Sequence, residues 1–117
     1  MRRFAVSLLA AASLASAALA EDVTIATAQG EATVAAPPAK VVAFDVAAID
    51  TLTALGVTLA GVPDNLYIPS LKENPALKVE TVGTLFEPDL EKLAGIAPDL
   101  IVVGSRSAAQ KDAVAQV

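Results

Sequence analysis

Three short and almost wholly apolar segments, separated by stretches with helical spacing, constrain the fold of this chain more than any other feature. They occupy residues 40–44, 58–62 and 100–103. Strands without polar alternation are typical of parallel sheets that are covered on both faces. Because parallel strands need a crossover connection, the sequence predicts an α/β fold with right-handed β-α-β units.

The first predicted helix directly follows the segment at residues 40–44. Asp45 can accept hydrogen bonds from the free amides of the first turn, and Gly56 is typical of a helix end. One helix face carries the apolar residues Val46, Ile49, Leu52 and Leu55. Together with the strand at residues 58–62, this helix completes the first β-α-β unit.

The remaining periodicity predicts a second, looser unit. Residues 63–80 lack periodicity and predict a long loop with one helical turn at residues 70–73, before a short strand at residues 81–84. A helix is expected from Pro88, with the apolar stripe Leu90, Leu93 and Ala94, and with Gly95 at its end. After the strand at residues 100–103, Ser107 and Gln110 suggest a capping box for a last helix with Ala113, Val114 and Val117 on its apolar face.

The amino-terminal third of the chain carries two further signals. Arg2 and Arg3 precede an uncharged apolar run that ends in the small residues of Ala18-Leu19-Ala20, which is typical of a cleavable signal peptide at residues 1–20. A membrane anchor is the alternative, but the run is alanine-rich and acidic residues follow at once. Residues 23–27 and 32–35 alternate in the period of a strand around a turn at residues 29–31, so an N-terminal β-hairpin is expected.

Composition excludes several classes of function. The chain has no cysteine and no histidine, so it cannot carry a lipid on a cysteine or a histidine-ligated metal, and no nucleophile–base pair is present. After signal cleavage, six basic residues face 13 acidic ones, a net charge of −7 that disfavours nucleic acid and anionic membranes. Asp45 and Asp50 are better explained as a helix cap and a polar helix position than as catalytic carboxylates. A periplasmic protein that is not an enzyme, holds no cofactor and does not insert into the membrane is predicted.

One cation stands where ligands usually bind in an open α/β sheet. Arg106 follows the strand at residues 100–103 directly, at its carboxyl end. Its guanidinium can donate several hydrogen bonds to the oxygens of an anionic ligand, although an ordinary solvated loop arginine would occupy the same position.

A set of short motifs gives the sequence a family resemblance. The motifs are KVVAFD (40–45), IDTL (49–52), LGV (55–57), GVP (61–63), VG (82–83), EPDLEKL (87–93) and PDLIVVG (98–104). Their order and spacing resemble the opening of the periplasmic siderophore-binding proteins of ABC importers. The resemblance implies two α/β lobes joined by one long helix, with the ligand in the cleft between them. Residues 21–117 would form the amino-terminal lobe, and a truncated lobe is expected because the predicted last helix ends in mid-face.

The resemblance also assigns roles to individual residues. Arg106 matches a ligand-contacting arginine, and Tyr67, in the loop that borders the cleft, could stack on an aromatic chelator or simply cover its own lobe. Glu91 matches a glutamate that docks onto the inner-membrane permease, with Glu87 as a second candidate, although a solvated carboxylate near a helix start would look the same. The implied function is capture of a ferric siderophore by a monomer. A cobalamin or haem receptor of the same fold, an exported interaction domain and an enzyme fragment remain alternatives.

Overall fold

The computed structural model describes residues 21–117, so the predicted signal peptide lies outside the described residues. In chain order the elements are β1 (Glu21–Thr27), β2 (Gly30–Ala36), β3 (Val41–Phe44), α1 (Val46–Ala54), β4 (Leu59–Val62), α2 (Pro69–Lys72), β5 (Glu80–Thr81), α3 (Leu90–Ile96), β6 (Leu100–Val103) and α4 (Lys111–Val114). Single 3-10 turns at Pro75–Leu77 and Ala108–Gln110 precede β5 and α4.

Four of the strands form one parallel sheet in the order β5-β4-β3-β6. The chain builds outward from β3 through β4 to β5, and then returns along α3 to place β6 on the other side of β3. The predicted α/β class with parallel β-α-β units is therefore confirmed. The order also creates a switch point between β3 and β6, because the helices that follow these two strands, α1 and α4, pack on opposite faces of the sheet.

The sheet is buried on both faces, as the apolar strands predict. Alternate residues of β3 enter two clusters, with Val41 and Ala43 on one side and Val42 and Phe44 on the other. The first cluster is covered by buried side chains of α1 and α2, among them Ile49 and Leu71. The second is covered by α3 and α4, and its buried members include Leu93 and Val114. The sheet is thus the middle of three layers, between two layers of helices, and β3 lies at the centre of the core.

A single carboxylate ties the sheet together at its amino edge. Asp99 Oδ2 accepts hydrogen bonds from the backbone amides of Ala39 at 2.9 Å and Lys40 at 2.8 Å. Lys40 Nζ in turn donates to the carbonyl oxygen of Ile96 at 2.9 Å. These bonds hold the start of β6 against the start of β3, although almost 60 residues separate them along the chain.

Helix α1 forms as predicted except at its end. Asp45 Oδ2 accepts a hydrogen bond from the Ala48 amide at 2.9 Å, which confirms the predicted cap. Gly56 follows the helix at a φ of 76°, a conformation that suits glycine. Leu55, however, is 73% exposed. Its place in the apolar stripe was wrong because Leu55 is the C-cap residue and already lies beyond the last turn.

Helix α3 begins and ends later than the sequence predicts. Asp89 caps it by accepting from the Lys92 amide at 3.0 Å, while Pro88 stands outside the helix and bridges to Gly83. Gly95 is a helical residue, and Ala97 closes the helix at a φ of 50°. The apolar stripe also differs, because Leu90 and Ala94 are exposed and Ile96 packs against the core instead.

Strand β5 is shorter than predicted, and the turn of the hairpin begins earlier. The predicted strand at residues 81–84 is reduced to Glu80–Thr81, because Gly83 at a φ of 86° turns the chain away from the sheet. Strands β1 and β2 pair as an antiparallel hairpin, which confirms that prediction. Its two-residue turn is Ala28-Gln29, one position earlier than expected, since Gly30 already pairs with Thr27.

The last helix is also shorter than expected. Val114 is buried and Ala113 is half-buried, whereas Val117 is 39% exposed beyond the end of α4. Ser107 makes no side-chain cap, so the predicted capping box is wrong. Among residues 21–117 there is no helix with the length and apolar character needed to cross a membrane.

Candidate ligand-binding site

At the switch point between β3 and β6, Asp45 and the turn that carries Arg106 lie at the same edge of the sheet. Asp45 follows β3, and the turn of residues 104–107 follows β6, so both lie where the carboxyl ends of adjacent parallel strands meet. In open α/β sheets a crevice for ligands forms at this place, since the loops leave the two strands toward opposite faces.

Arg106 is exposed in the turn after β6. Within residues 21–117 its guanidinium takes part in no ion pair, and the salt bridge there joins Lys92 to Glu80 at 3.6 Å. The side chain makes no hydrogen bond to the described residues either. A positive charge at the carboxyl edge is thus available to an incoming anion, which matches the sequence-based expectation for its position.

Tyr67 lies beside this cation. The Arg106 Cζ atom is 6.0 Å from the centroid of the Tyr67 ring, a distance at which a cation–π attraction begins to count. Tyr67 lies in the loop that follows β4 and Pro63, and its side chain is 62% exposed. The ring also borders a cavity of about 450 Å³ whose other walls include Leu66, Lys72 and Leu77. The structure therefore brings together the two residues for which the sequence predicts ligand contacts, and the contacts themselves stay a prediction.

Sequence reasoning missed how the turn that carries Arg106 is fixed. The Ser107 hydroxyl is fully buried, donates to the carbonyl oxygen of Phe44 at 2.7 Å and accepts from the Gly104 amide at 3.0 Å. A side chain at Gly104 would overlap the carboxylate of Asp45. The sequence carries no signal for this contact, because Phe44 lies 63 positions before Ser107.

Glu91 and Glu87 are both exposed around the start of α3. Glu91 lies in the first helical turn, where the macrodipole stabilises a carboxylate. Glu87 lies in the preceding turn, whose backbone is fixed by a hydrogen bond from its own amide to Thr84 Oγ1 at 3.0 Å. Neither carboxylate is paired within the described part of the chain. Both are accessible to a partner, and their role in docking remains a prediction.

A larger cavity, of about 950 Å³, lies elsewhere. It runs along β6 and is bounded by the hairpin and α4, with Ile25, Val34, Ile101 and Val103 among its apolar walls. Arg106 and Tyr67 do not line it. Because β6 is one of the two edge strands of the described sheet, this cavity follows from an uncovered sheet edge and is a weaker candidate for an anion site.

No cluster of three potential metal ligands occurs among residues 21–117. The carboxyl edge of the sheet beside β6 offers the guanidinium of Arg106, the phenol ring of Tyr67 and backbone groups. This set can bind an anionic or aromatic ligand.

Sequence comparison identifies relatives with a common type of ligand. No family model matches the chain. The petrobactin-binding protein YclQ of Bacillus subtilis is 40% identical over 74 residues, which cover 59% of this chain and 22% of the relative. The Fe(3+)-citrate-binding protein YfmC of the same organism is 32% identical over 76 residues, which cover 63% of this chain and 24% of the relative.

Solved structures support the same relationship. The periplasmic catecholate-siderophore binding protein VctP from Vibrio cholerae matches with a TM-score of 0.72 and 30% identity, over 82% of this chain and 35% of that protein. YclQ itself matches with a TM-score of 0.70 and 30% identity, over 83% of this chain and 35% of its own. The chain thus spans about a third or less of the length of the proteins it matches. In sequence and in fold it is related to the substrate-binding proteins of ABC importers that bind iron-siderophore and ferric citrate complexes.

Proposed function

We propose that this protein is the periplasmic substrate-binding component of an ABC importer, that it captures a ferric siderophore, and that it releases the complex unchanged to the permease. The observation that carries the proposal is the guanidinium of Arg106, which is exposed at the switch point of the sheet and has no ion-pair partner among residues 21–117. Ferric siderophores present catecholate, hydroxamate or carboxylate oxygens, and a planar guanidinium can bind such oxygens through two parallel hydrogen bonds.

The charge distribution supports local anion capture by an acidic protein. With 13 acidic residues in the sequence, long-range attraction cannot concentrate an anion at this surface. The affinity must therefore come from short-range contacts with a few cations. The Tyr67 ring beside Arg106 adds an aromatic face on which a catechol ring can stack.

Calorimetric titration tests the proposal directly. The protein is titrated with the iron(III) complex of a tris-catecholate chelator, with ferric citrate, and with haem and cobalamin as competing ligand types. We expect a ferric chelate to bind and Arg106→Ala to weaken its binding at least tenfold. Lys78→Ala is the matched control, because Lys78 is an exposed cation on the opposite, amino-terminal side of β5. Binding of haem or cobalamin alone, or equal effects of the two substitutions, would contradict the proposal.

Delivery to a permease is a separate part of the proposal. We propose that Glu91, with Glu87 as a weaker contributor, contacts basic residues of the permease, since both carboxylates are exposed and unpaired within the described residues. Glu91→Ala should leave ferric chelate binding unchanged and reduce iron uptake by cells that depend on this importer. Glu73→Ala, which removes an exposed carboxylate after α2, serves as the control. Undiminished uptake by Glu91→Ala would remove this residue from the docking surface.

A further inference from the structure

The turn that carries Arg106 is held at both of its ends by one side chain. Residues 104–107 form a turn that is closed by a hydrogen bond from the Ser107 amide to the Gly104 carbonyl oxygen at 3.2 Å. Arg106 is the third residue of this turn. The direction in which its side chain leaves the sheet is therefore set by the geometry of these four residues.

Ser107 fastens this turn to the central strand. Phe44 is the last residue of β3, and the Ser107 hydroxyl donates to its carbonyl oxygen over an O–O distance of 2.7 Å. The same hydroxyl oxygen accepts from the Gly104 amide at 3.0 Å. The hydroxyl is completely buried, so water cannot replace either bond without an opening of the fold. The ends of β3 and β6 are thus joined through one atom.

On its opposite side the turn packs closely against Asp45. A Cβ atom at Gly104 would lie 2.7 Å from Asp45 Cβ, closer than two such atoms can approach, and would also meet the Asp45 carboxylate. Asp45 itself is fixed because it caps α1. The turn therefore lies between the cap of α1 and the hydrogen bonds of Ser107.

Arg106 depends on this support more than most arginines do. Within residues 21–117 its guanidinium has no carboxylate partner and no hydrogen bond, and the Tyr67 ring at 6.0 Å is its neighbour. For a side chain with so few contacts of its own, the backbone sets the direction of the Cα–Cβ bond and with it the region that the guanidinium can reach. Groups that bind a ligand lose affinity when their support shifts by about 1 Å.

We infer that Ser107 is the positioning residue for Arg106: its buried hydroxyl holds the turn so that the guanidinium stays beside Tyr67 and faces a ligand at the switch point. The expected effect of Ser107 on ligand binding rests on the proposed function. The effect of Ser107 on the position of Arg106 does not depend on any ligand.

The ligand-free test compares Ser107→Ala with the unaltered protein by NMR. Positioning predicts that Ser107→Ala lowers the heteronuclear NOE of the Arg106 Nε–Hε group and abolishes its ring-current shift from Tyr67. Asp99→Ala is the matched control, because Asp99 also joins β6 to β3 through two hydrogen bonds but at the far edge of the sheet. An unchanged Arg106 signal in Ser107→Ala, or an equal change in Asp99→Ala, would overturn the inference whatever the protein binds.

The binding test is a double-mutant cycle with the ferric tris-catecholate complex or ferric citrate, whichever binds. Ser107→Ala should weaken binding about tenfold when Arg106 is present and less than twofold in the Arg106→Ala background, whereas a merely structural role predicts the same factor in both. Additive effects would overturn the inference. If the unaltered protein binds neither complex, the proposed function fails, and the NMR comparison still decides the role of Ser107.

Discussion

The two edges of the sheet between β3 and β6 are fastened in similar ways and differ in what they leave free. At the amino edge, Asp99 accepts from two amides near the start of β3, and the nearby cation Lys40 is engaged with the Ile96 carbonyl oxygen. At the carboxyl edge, Ser107 joins the strand ends, and Arg106 has no polar partner within the described residues. One edge thus uses its cation for the fold, whereas the other keeps its cation available to a ligand.

The largest effect is expected from Gly104→Ala, which tests how tightly the carboxyl edge is packed. The new methyl group would overlap the side chain of Asp45, which cannot rotate away without the loss of its cap, so the free energy of unfolding should fall by about 3 kcal/mol. Urea unfolding monitored by circular dichroism measures this change. Gly95→Ala is the control: it meets open space inside α3 and should raise stability by up to about 1 kcal/mol. Equal effects would show that the edge is loose.

Asp99→Ala tests whether the amino edge serves only the fold. Loss of two solvent-exposed hydrogen bonds to backbone amides should lower the free energy of unfolding by about 1 kcal/mol. Affinity for a ferric chelate, measured by calorimetry at a temperature where the variant is folded, should stay within twofold of the unaltered protein. A tenfold loss of affinity would mean that the two edges are coupled and would remove the distinction between them.

Arg106→Lys sharpens the distinction at the carboxyl edge. The substitution keeps the charge but removes the planar set of donors, so affinity for a ferric chelate should fall about fivefold, less than with Arg106→Ala. Stability should change by less than about 0.5 kcal/mol, because the side chain is exposed. Calorimetry and urea unfolding measure the two quantities. Full affinity in the lysine variant would show that charge alone acts there.

The smallest effect is expected from Lys40→Ala, the counterpart at the amino edge. Loss of the hydrogen bond from Lys40 Nζ to the Ile96 carbonyl oxygen should cost about 0.5 kcal/mol, since the bond is exposed to solvent. Binding of a ferric chelate should not change. A measurable loss of affinity here, without one in Arg106→Ala, would move the site to the opposite edge of the sheet.

The features that the sequence predicts well depend on residues close together in the chain. The hairpin, the strands β3, β4 and β6 and the Asp45 cap follow from alternation, apolar runs and a side chain three positions from its partner. Local signals were wrong where a distant residue competed for the same group. Ser107 has the spacing of a capping box, yet its hydroxyl donates to the carbonyl oxygen of Phe44 instead.

The position of each candidate residue could be predicted from the sequence, but their arrangement could not, and their contact with a ligand stays a prediction. The position of Arg106 after an apolar strand places it at the carboxyl edge of the sheet, and the resemblance to siderophore-binding proteins selects Tyr67 from its loop. Their proximity could not be predicted, because it depends on β6 returning to the far side of β3. The strand order, and not any local pattern, brings the loops after β4 and β6 together.

The single tyrosine of the chain has a practical consequence for anyone who studies it. Since this chain contains no tryptophan and phenylalanine emits only weakly, the fluorescence of the chain comes mainly from the Tyr67 ring. That ring contacts Arg106, so whatever displaces or covers the guanidinium changes the surroundings of the one fluorophore. Binding of a ligand at this edge is therefore expected to change the tyrosine fluorescence, which can be measured without a label or an introduced residue.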